Sequence, residues 1–457
     1  MRKIQKISSL QPTLAFTEYD IFYQYSQSFF RSELGGIYKS FPFEQLGKEL
    51  GLKEKSRGRK SFFSVAGKVA LMILKAYSDL SDRDLIAQLN ANLHYQLFCG
   101  VRINPLRPLE NFKIVSEIRC EIGRKLDIHK AQQLLAGYWK PYLENTHVMM
   151  TDATCYESSL RFPTTVKLLW ECVDWLQGQL KGIVKGLRLR MPRNKYSKQQ
   201  HRHKTYSRKR RRSNKDTRVL SRSLLHLLGK LIGQLQDTIQ ANSQHLALSI
   251  LFCKRFSIIQ KIFHQQTLRF EGKEVKGIIV SIDKAYIRPI VRGKESKRVE
   301  FGAKVNSIQV DGINFIEHLS FEAFHEGIRL LWCIDRQQSL LRKRVTHLAA
   351  DALYATNYNR RYCHHKGIMT SFVRKGKAAK DEKQRKQIRS LLSKERATRL
   401  EGSFGTEKQH YSLSRIKART KRTEILWIFF GIHTANAVRM IPKMKDKIKE
   451  VPLRLTG

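Results

Sequence analysis

Cysteine pairing is missing from this chain. Its seven cysteines (Cys99, Cys120, Cys155, Cys172, Cys253, Cys333 and Cys363) are scattered and odd in number, with no CxxC pair and no Cys/His cluster at zinc-ligand spacing. A disulfide framework and a zinc-finger scaffold are thereby excluded, and free thiols in a reduced compartment are expected. No stretch reaches the roughly eighteen consecutive apolar residues that a membrane span needs. The opening MRKIQKISSLQPTLAF lacks the apolar core and cleavage signal of a secretory peptide. Internal repeats are also absent. The scarcest chemistry is negative charge: 39 Asp and Glu stand against 86 Lys and Arg, a net charge of +47.

An excess of that size costs the folded state through self-repulsion, and a polyanionic partner relieves it. Nucleic acid is the leading candidate, ahead of a ribosomal surface or anionic lipid. At 457 residues the chain has room for two or three domains, and 41% hydrophobic residues are enough for most of it to fold. The expectation is a cytoplasmic, nucleoid-associated protein that works on double-stranded DNA and has no membrane part.

Residues 1–145 read as helices and form an expected N-terminal DNA-binding domain. Apolar positions recur at three and four across residues 62–77, and again from Asn111 to Leu126. Ser81 stands where an N-cap belongs, before an acidic first turn. A basic turn (Lys53, Lys55, Arg57, Arg59, Lys60) lies among them, so a helix-turn-helix and a plain helical bundle both remain open. Residues 146–457 form the expected catalytic domain. It opens with a strand at 147–156 and carries a basic helical insertion at about 160–272. The insertion reads as a long helical hairpin whose poorly ordered tip, residues 181–218, holds sixteen Lys and Arg against the single acid Asp216. The run Arg208, Lys209, Arg210, Arg211 and Arg212 is the densest part and suits phosphate contacts. Beyond residue 275 come short β-branched segments at 277–283, 285–291, 298–310 and 313–322, which read as a meander. Strands at 346–354 and 367–373 flank a short helix. A lysine-rich stretch at 374–386 precedes a helix from Arg396 to Tyr411, and an apolar helix over 423–440 covers the sheet.

An apolar strand ending in an acid occurs twice, at Asp152 and at Asp351, and a strand end delivers its carboxylate to the sheet edge where ligands collect. Glu401 lies on the helix that follows. Three such carboxylates suit two Mg²⁺ ions, the arrangement phosphoryl transfer needs. Spacing alone leaves many triples among 39 acids.

The local sequences narrow the choice. DATCYESSLRFPTTVKLLWE, IRPIVRGKESKRVEFGAKV, AADALY and EGSFGTEKQHYSLSRIKART follow in this order, with RSELGGIYKSFPFEQL and LSDRDLIAQLNANLHYQLFCGV ahead of them. Together they resemble the transposases of bacterial insertion sequences that carry an Asp–Asp–Glu triad, over nearly the whole chain. The resemblance implies an α+β, ribonuclease H-like mixed-sheet core and Mg²⁺ dependence, with Mn²⁺ able to substitute. It further implies cleavage at the element's terminal inverted repeats, joining of the 3′-hydroxyl ends to target DNA, and a homodimer on DNA. By position, Asp152 and Asp351 match the two Asp, Glu401 the Glu, and Lys408 the lysine seven residues later. Seven residues is close to two helical turns, so Glu401 and Lys408 share a face. The same signature expects Arg four positions before the Glu, where Ala397 stands; Arg396 or Arg399 then serves instead.

Other residues have plainer readings. Glu407 competes with Glu401 as third ligand but has no lysine seven residues on. Asp283 reads as a turn or edge acid, and His364 and His365 as a solvated pair. Tyr354 packs beside Asp351, and Tyr411 either touches DNA or seals the core. Trp427, Phe429 and Phe430 read as core. The competing functions are a decayed element that only binds DNA and a ribonuclease H-like nuclease that cuts without joining.

Overall fold

The computed structural model describes residues 18–54, 58, 61–291, 299–376 and 382–450. Eight helices come first: α1 (Glu18–Arg31), α2 (Glu33–Ser40), α3 (Phe43–Glu49), α4 (Val65–Ser78), α5 (Asp82–Ala91), α6 (Leu93–Cys99), α7 (Lys113–Lys125) and α8 (Ile128–Trp139). Serine caps start three of them. Ser32, Ser64 and Ser81 each accept the backbone N–H three residues on, which satisfies a donor the helix leaves orphaned. In α4, Val69, Leu71, Ile73 and Leu74 are fully buried, each contributing about 1.5–3 kcal/mol of transfer free energy. Of the basic turn between α3 and α4, Lys53 is exposed, and Lys55, Arg57, Arg59 and Lys60 lie outside the described residues.

The sheet begins with β1 (Val148–Glu157) and is then interrupted by α9 (Thr165–Gly186), α10 (Tyr196–Arg208), α11 (Asn214–Ala241) and α12 (Ile250–Phe270). It resumes with β2 (Pro289–Val291), β3 (Val299–Val310), β4 (Ile313–Ser320), α13 (Leu330–Leu341), β5 (His347–Ala350), α14 (Asn357–His365) and β6 (Met369–Thr370). Three helices close the described chain: α15 (Glu382–Glu395), α16 (Gly402–His410) and α17 (Lys421–Glu450), with a π-helical turn, Arg396–Glu401, between the first two. The strand order is β2–β3–β1–β5–β6, and β4 also pairs with β3. β3 runs antiparallel to β1 and β4, whereas β5 is parallel to β1 and β6 to β5. The architecture is mixed α+β.

Two local features hold this sheet. Asp311 and Gly312, at φ 47° and 83°, make the two-residue turn whose positive φ values match the twist of β3 and β4. Gly302 faces Glu157 of β1, where an added Cβ would lie 2.0 Å from the Tyr156 carbonyl oxygen. Alternation along β1 then assigns two faces. Met149 joins the core of the N-terminal helices, and the Thr151 hydroxyl lies 3.4 Å from Cys333 Sγ on α13. Met150 faces α15 and α16 through Leu392, Leu400 and Phe404, and Asp152, Thr154 and Tyr156 follow on that side.

One core runs from Phe29, Ile37 and Trp139 of the N-terminal helices through Ile308 and Phe315 of the sheet to Phe429 of α17. Asn436 on α17 clamps β4, accepting the Asn314 N–H at 3.0 Å and donating to its carbonyl at 2.7 Å. α17 is long and apolar enough to cross a membrane by length and composition, but 72% of its most apolar window is buried inside the protein.

Several expected elements differ. Residues 277–283 form no strand, and of 285–291 only Pro289–Val291 pairs. The Gln265 side chain of α12 binds the Gly277 carbonyl at 3.1 Å and the Ile279 N–H at 3.0 Å, taking backbone groups a ladder would use, while Ile279 and Ile282 enter the insertion's core. Of 367–373, Met369–Thr370 alone is strand. The insertion is three long helices around one core rather than a two-helix hairpin. Its basic segment is not a loose tip: α10 forms within it, with Tyr196 and His203 stacked on Trp170 at 5.5 and 4.7 Å. The lysine-rich stretch already becomes helix at Glu382, and the helix expected from Arg396 starts with the π-helical turn.

Candidate active site

Parallel pairing sets Thr151 beside Ala350, so Asp152 and Asp351 are the next residues in that register, on strands about 4.8 Å apart. Ala349 and Met150 share the face covered by α15 and α16, and the two acids fall on it by alternation. Asp351 ends its strand as a cap, accepting the Ala352 N–H at 2.6 Å. Asp152 accepts the Ala153 N–H at 2.8 Å and binds Arg396 Nη1 at 2.6 Å. The same Nη1 lies 2.9 Å from Glu401. One guanidinium therefore ties the strand acid to the helix acid.

The π-helical turn explains how Arg396 reaches both. In an α-helix, residues five apart point about 140° away from one another. A π-helical turn closes on i→i+5 instead, which returns Arg396 to the side of Glu401. Position 397 holds alanine, and the extra residue in the turn compensates for the one-residue displacement of the arginine. Arg399, the other candidate, pairs with Glu395 at 2.7 Å and is half exposed.

Burial pushes the Asp152 carboxyl up to about 6. Arg396 and the Ala153 N–H oppose that shift, and repulsion from Glu326 and Asp351 adds to it. Glu326 left no signal in the sequence. It lies beyond β4 in no motif, is buried, and pairs with Lys304 at 2.7 Å; only tertiary folding sets it near Asp152.

From Glu401 the chain continues as α16, and Lys408 Nζ lies 3.0 Å from the Thr154 hydroxyl and 5.7 Å from the centre of the Tyr156 ring. Thr154 is two residues past Asp152 on the same face of β1, so helix and strand advance together from the acids to the lysine. Glu407 points elsewhere. It is fully buried, accepts from the Tyr156 hydroxyl and from Asn314 Nδ2 at 2.5 Å, and lies 3.9 Å from Arg439. Burial raises its carboxyl above the usual range.

Among the described residues, no three His, Cys, Asp or Glu side chains converge as a metal-binding group; Arg396 stands between Asp152 and Glu401. The donor set nonetheless fits a hard divalent cation, which prefers carboxylate oxygen. Asp152 and Asp351 are adjacent, and Glu401 is one guanidinium away.

The remaining residues have simpler surroundings. Arg208, Lys209, Arg210, Arg211 and Arg212 are exposed at the end of α10 and on the link to α11, with Lys209 paired to Asp216 at 2.8 Å. Asp283 is held by Arg255. His364 and His365 are exposed in the last turn of α14. Tyr354 is fully buried and donates to Asn306. Tyr411, Phe429 and Phe430 are buried, and the Trp427 ring lies under Lys75 and Arg119.

Residues 348–433 match the family model described as a transposase DDE domain. Residues 26–120 match a second, described as a transposase domain (DUF772). The first span opens just before Asp351 and includes Arg396, Glu401 and Lys408; Asp152 lies outside both. No curated protein and no solved structure matches the chain.

Proposed function

We propose, from the premise that the chain is an insertion-sequence transposase of the DDE type, that it cleaves DNA at its element's ends and transfers the 3′-hydroxyl ends into target DNA. The observation that carries this reading is the meeting of Asp152 and Asp351 in one parallel register, with Glu401 tied to Asp152 through Arg396. Transposases of this type use divalent metal ions. In this chain Asp152, Asp351 and Glu401 would hold two Mg²⁺, or Mn²⁺ in their place. Bound there, the ions would supply a lowered pKa for the attacking hydroxyl and charge stabilisation for the leaving oxygen.

The chain's own residues prepare that chemistry. Asp152 keeps its proton up to about pH 6 and must release it before it ligates a cation. Arg396 neutralises the paired acids, and once displaced from them it is positioned to bind a phosphate oxygen in a fork. Lys408, two helical turns beyond Glu401, offers a point charge to a neighbouring phosphate. The exposed run at residues 208–212 and the net charge of +47 support binding of terminal repeats and target as duplex DNA, by a homodimer that pairs two ends. The ribonuclease H-like reading is supported by the strand plan: β1, β3 and β4 antiparallel in turn, then β5 and β6 parallel to β1, with the short β2 added antiparallel to β3.

The test is cleavage and joining of DNA that carries the genomic flanks of the reading frame, with Mg²⁺, comparing wild type with Asp351→Asn. Joined products from wild type alone are the expected result. Nicks without joined products would favour a nuclease. DNA binding with no metal-dependent chemistry in either protein would favour a decayed element.

A further inference from the structure

Two clefts in the molecule differ in how their charge is answered. The first, about 790 Å³, lies between the insertion and the end of β1. Its lining sets Arg161, Lys167, Arg255, Lys284, Lys417 and Arg419 beside three carboxylates, Glu171, Asp174 and Asp283. Arg255 pairs with Asp283, Lys284 with Glu424, and Lys167 lies 3.9 Å from Glu171. The second, about 660 Å³, lies between α14, β6 and α15. Among the described residues that line it, Arg360, Arg361, Arg374, Lys375 and Arg389 face one carboxylate, Glu382, which Arg389 holds at 3.1 Å; Arg385 also lines it and has a partner of its own. Neutral acceptors fix two of these cations without cancelling their charge. Arg360 donates to the carbonyls of Ala355 and Val373 at 2.9 and 2.5 Å, and Lys375 donates to Asn357 Oδ1 at 3.1 Å. Buried Ile368 and Phe372 form part of the wall. Such a concentration of positive charge suits phosphate oxygens.

The cleft also has a direct structural route to the acids. α15 carries Arg385 in its first turn and Arg389 at its middle and leads into Arg396, a rise of about 16 and 10 Å at 1.5 Å per residue. On the other side, α14 begins shortly after Asp351. We propose that this cleft is a phosphate-binding track for the DNA strand that runs to the carboxylates. At 3.4 Å per nucleotide it engages that strand roughly three to five nucleotides from the reacting phosphodiester. The proposal rests on the DNA-cleaving reading of Asp152, Asp351 and Glu401.

The experiment uses the full chain with Arg361→Glu and Arg374→Glu together, both exposed positions, and Arg361→Lys with Arg374→Lys as control. Binding of a duplex carrying the genomic flank is measured across a salt series. The reversal should lower the slope of log affinity against log salt by about two, near 0.9 for each phosphate no longer neutralised, and the lysine pair should keep it. An unchanged slope in the reversal variant overturns the proposal. A duplex with neutral methylphosphonate links three to five nucleotides from the cleaved bond then locates the track. It should weaken binding by wild type and leave the reversal variant unaffected; equal weakening of both proteins would overturn the assignment to that strand. If neither protein cuts DNA, the functional reading fails by itself, and the salt slope still decides the cleft.

Discussion

Asp152 and Glu407 meet the same face of β1 a few residues apart, and the protein treats their carboxylates in opposite ways. Glu407 is sealed in the core with Tyr156, Asn314 and Arg439 around it. Two neutral donors and the Arg439 charge meet its carboxylate, and burial still raises it above the usual range. Asp152 is also largely buried, yet it has one backbone N–H and a share of one guanidinium, with a second acid beside it in register. Each carboxylate accepts two of the roughly four hydrogen bonds it can take, so what differs is the acid in register with Asp152 and the repulsion it feels from Asp351 and Glu326. A second acid in register is what a cation site requires, whereas neutral donors with a cation nearby suit a structural acid.

The comparison breaks first on catalysis. Asp152→Asn should reduce cleavage by about 10³-fold, the scale on which loss of a main electrostatic group is felt, with DNA affinity nearly unchanged by gel shift. A cleavage-competent Asp152→Asn would remove it from the site. Next in size is stability. Glu407→Ala leaves buried donors unpaired and should cost about 3–5 kcal/mol in urea denaturation, with Glu407→Gln recovering part of the loss. A stable, fully folded Glu407→Ala that cannot cut would instead make Glu407 part of the chemistry.

A pH series separates the two acids further. The Asp152 carboxyl is neutral in the folded protein below about 6 and in the unfolded chain below about 4. Between about pH 4 and 6 the unfolded chain ionises this group while the folded protein keeps it neutral, so raising the pH across that window removes up to about 3 kcal/mol of stability, with no further loss above it. In EDTA, Asp152→Asn should be more stable than wild type at pH 8, and the gain should vanish by pH 4. A gain that persists at pH 4 would mean that burial of the charge is not its cause. Divalent-cation affinity, read by calorimetry, should weaken as the pH falls through 6, with protons released on binding. The smallest effect concerns the insertion: Arg210→Glu with Arg211→Glu should lower the salt slope of DNA binding by less than two while leaving low-salt cleavage intact. An unchanged slope would show those exposed cations to be idle.

Much of this molecule can be read from its sequence because the signals are local. Periodicity gave the N-terminal helices, Ser81 its cap and the apolar runs before Asp152 and Asp351 their strands. Periodicity failed where a distant side chain replaced a ladder, as Gln265 does for residues 277–279. It also failed in the basic segment, where charge concealed the aromatic contacts of Trp170 that order α10.

By itself the sequence offered three candidate carboxylates and their order, the helical spacing of Glu401 and Lys408, and a charge suited to polyanions. All of these follow from residue identity and short-range geometry. The tertiary structure decided the rest: which acids become neighbours, that Arg396 rather than Arg399 spans them, that Glu326 adds repulsion and that Glu407 is sealed away. Those outcomes depend on strand register, on one extra residue in a π-helical turn and on burial. Each is set by the packing of segments remote in sequence, and none leaves a local mark in the chain.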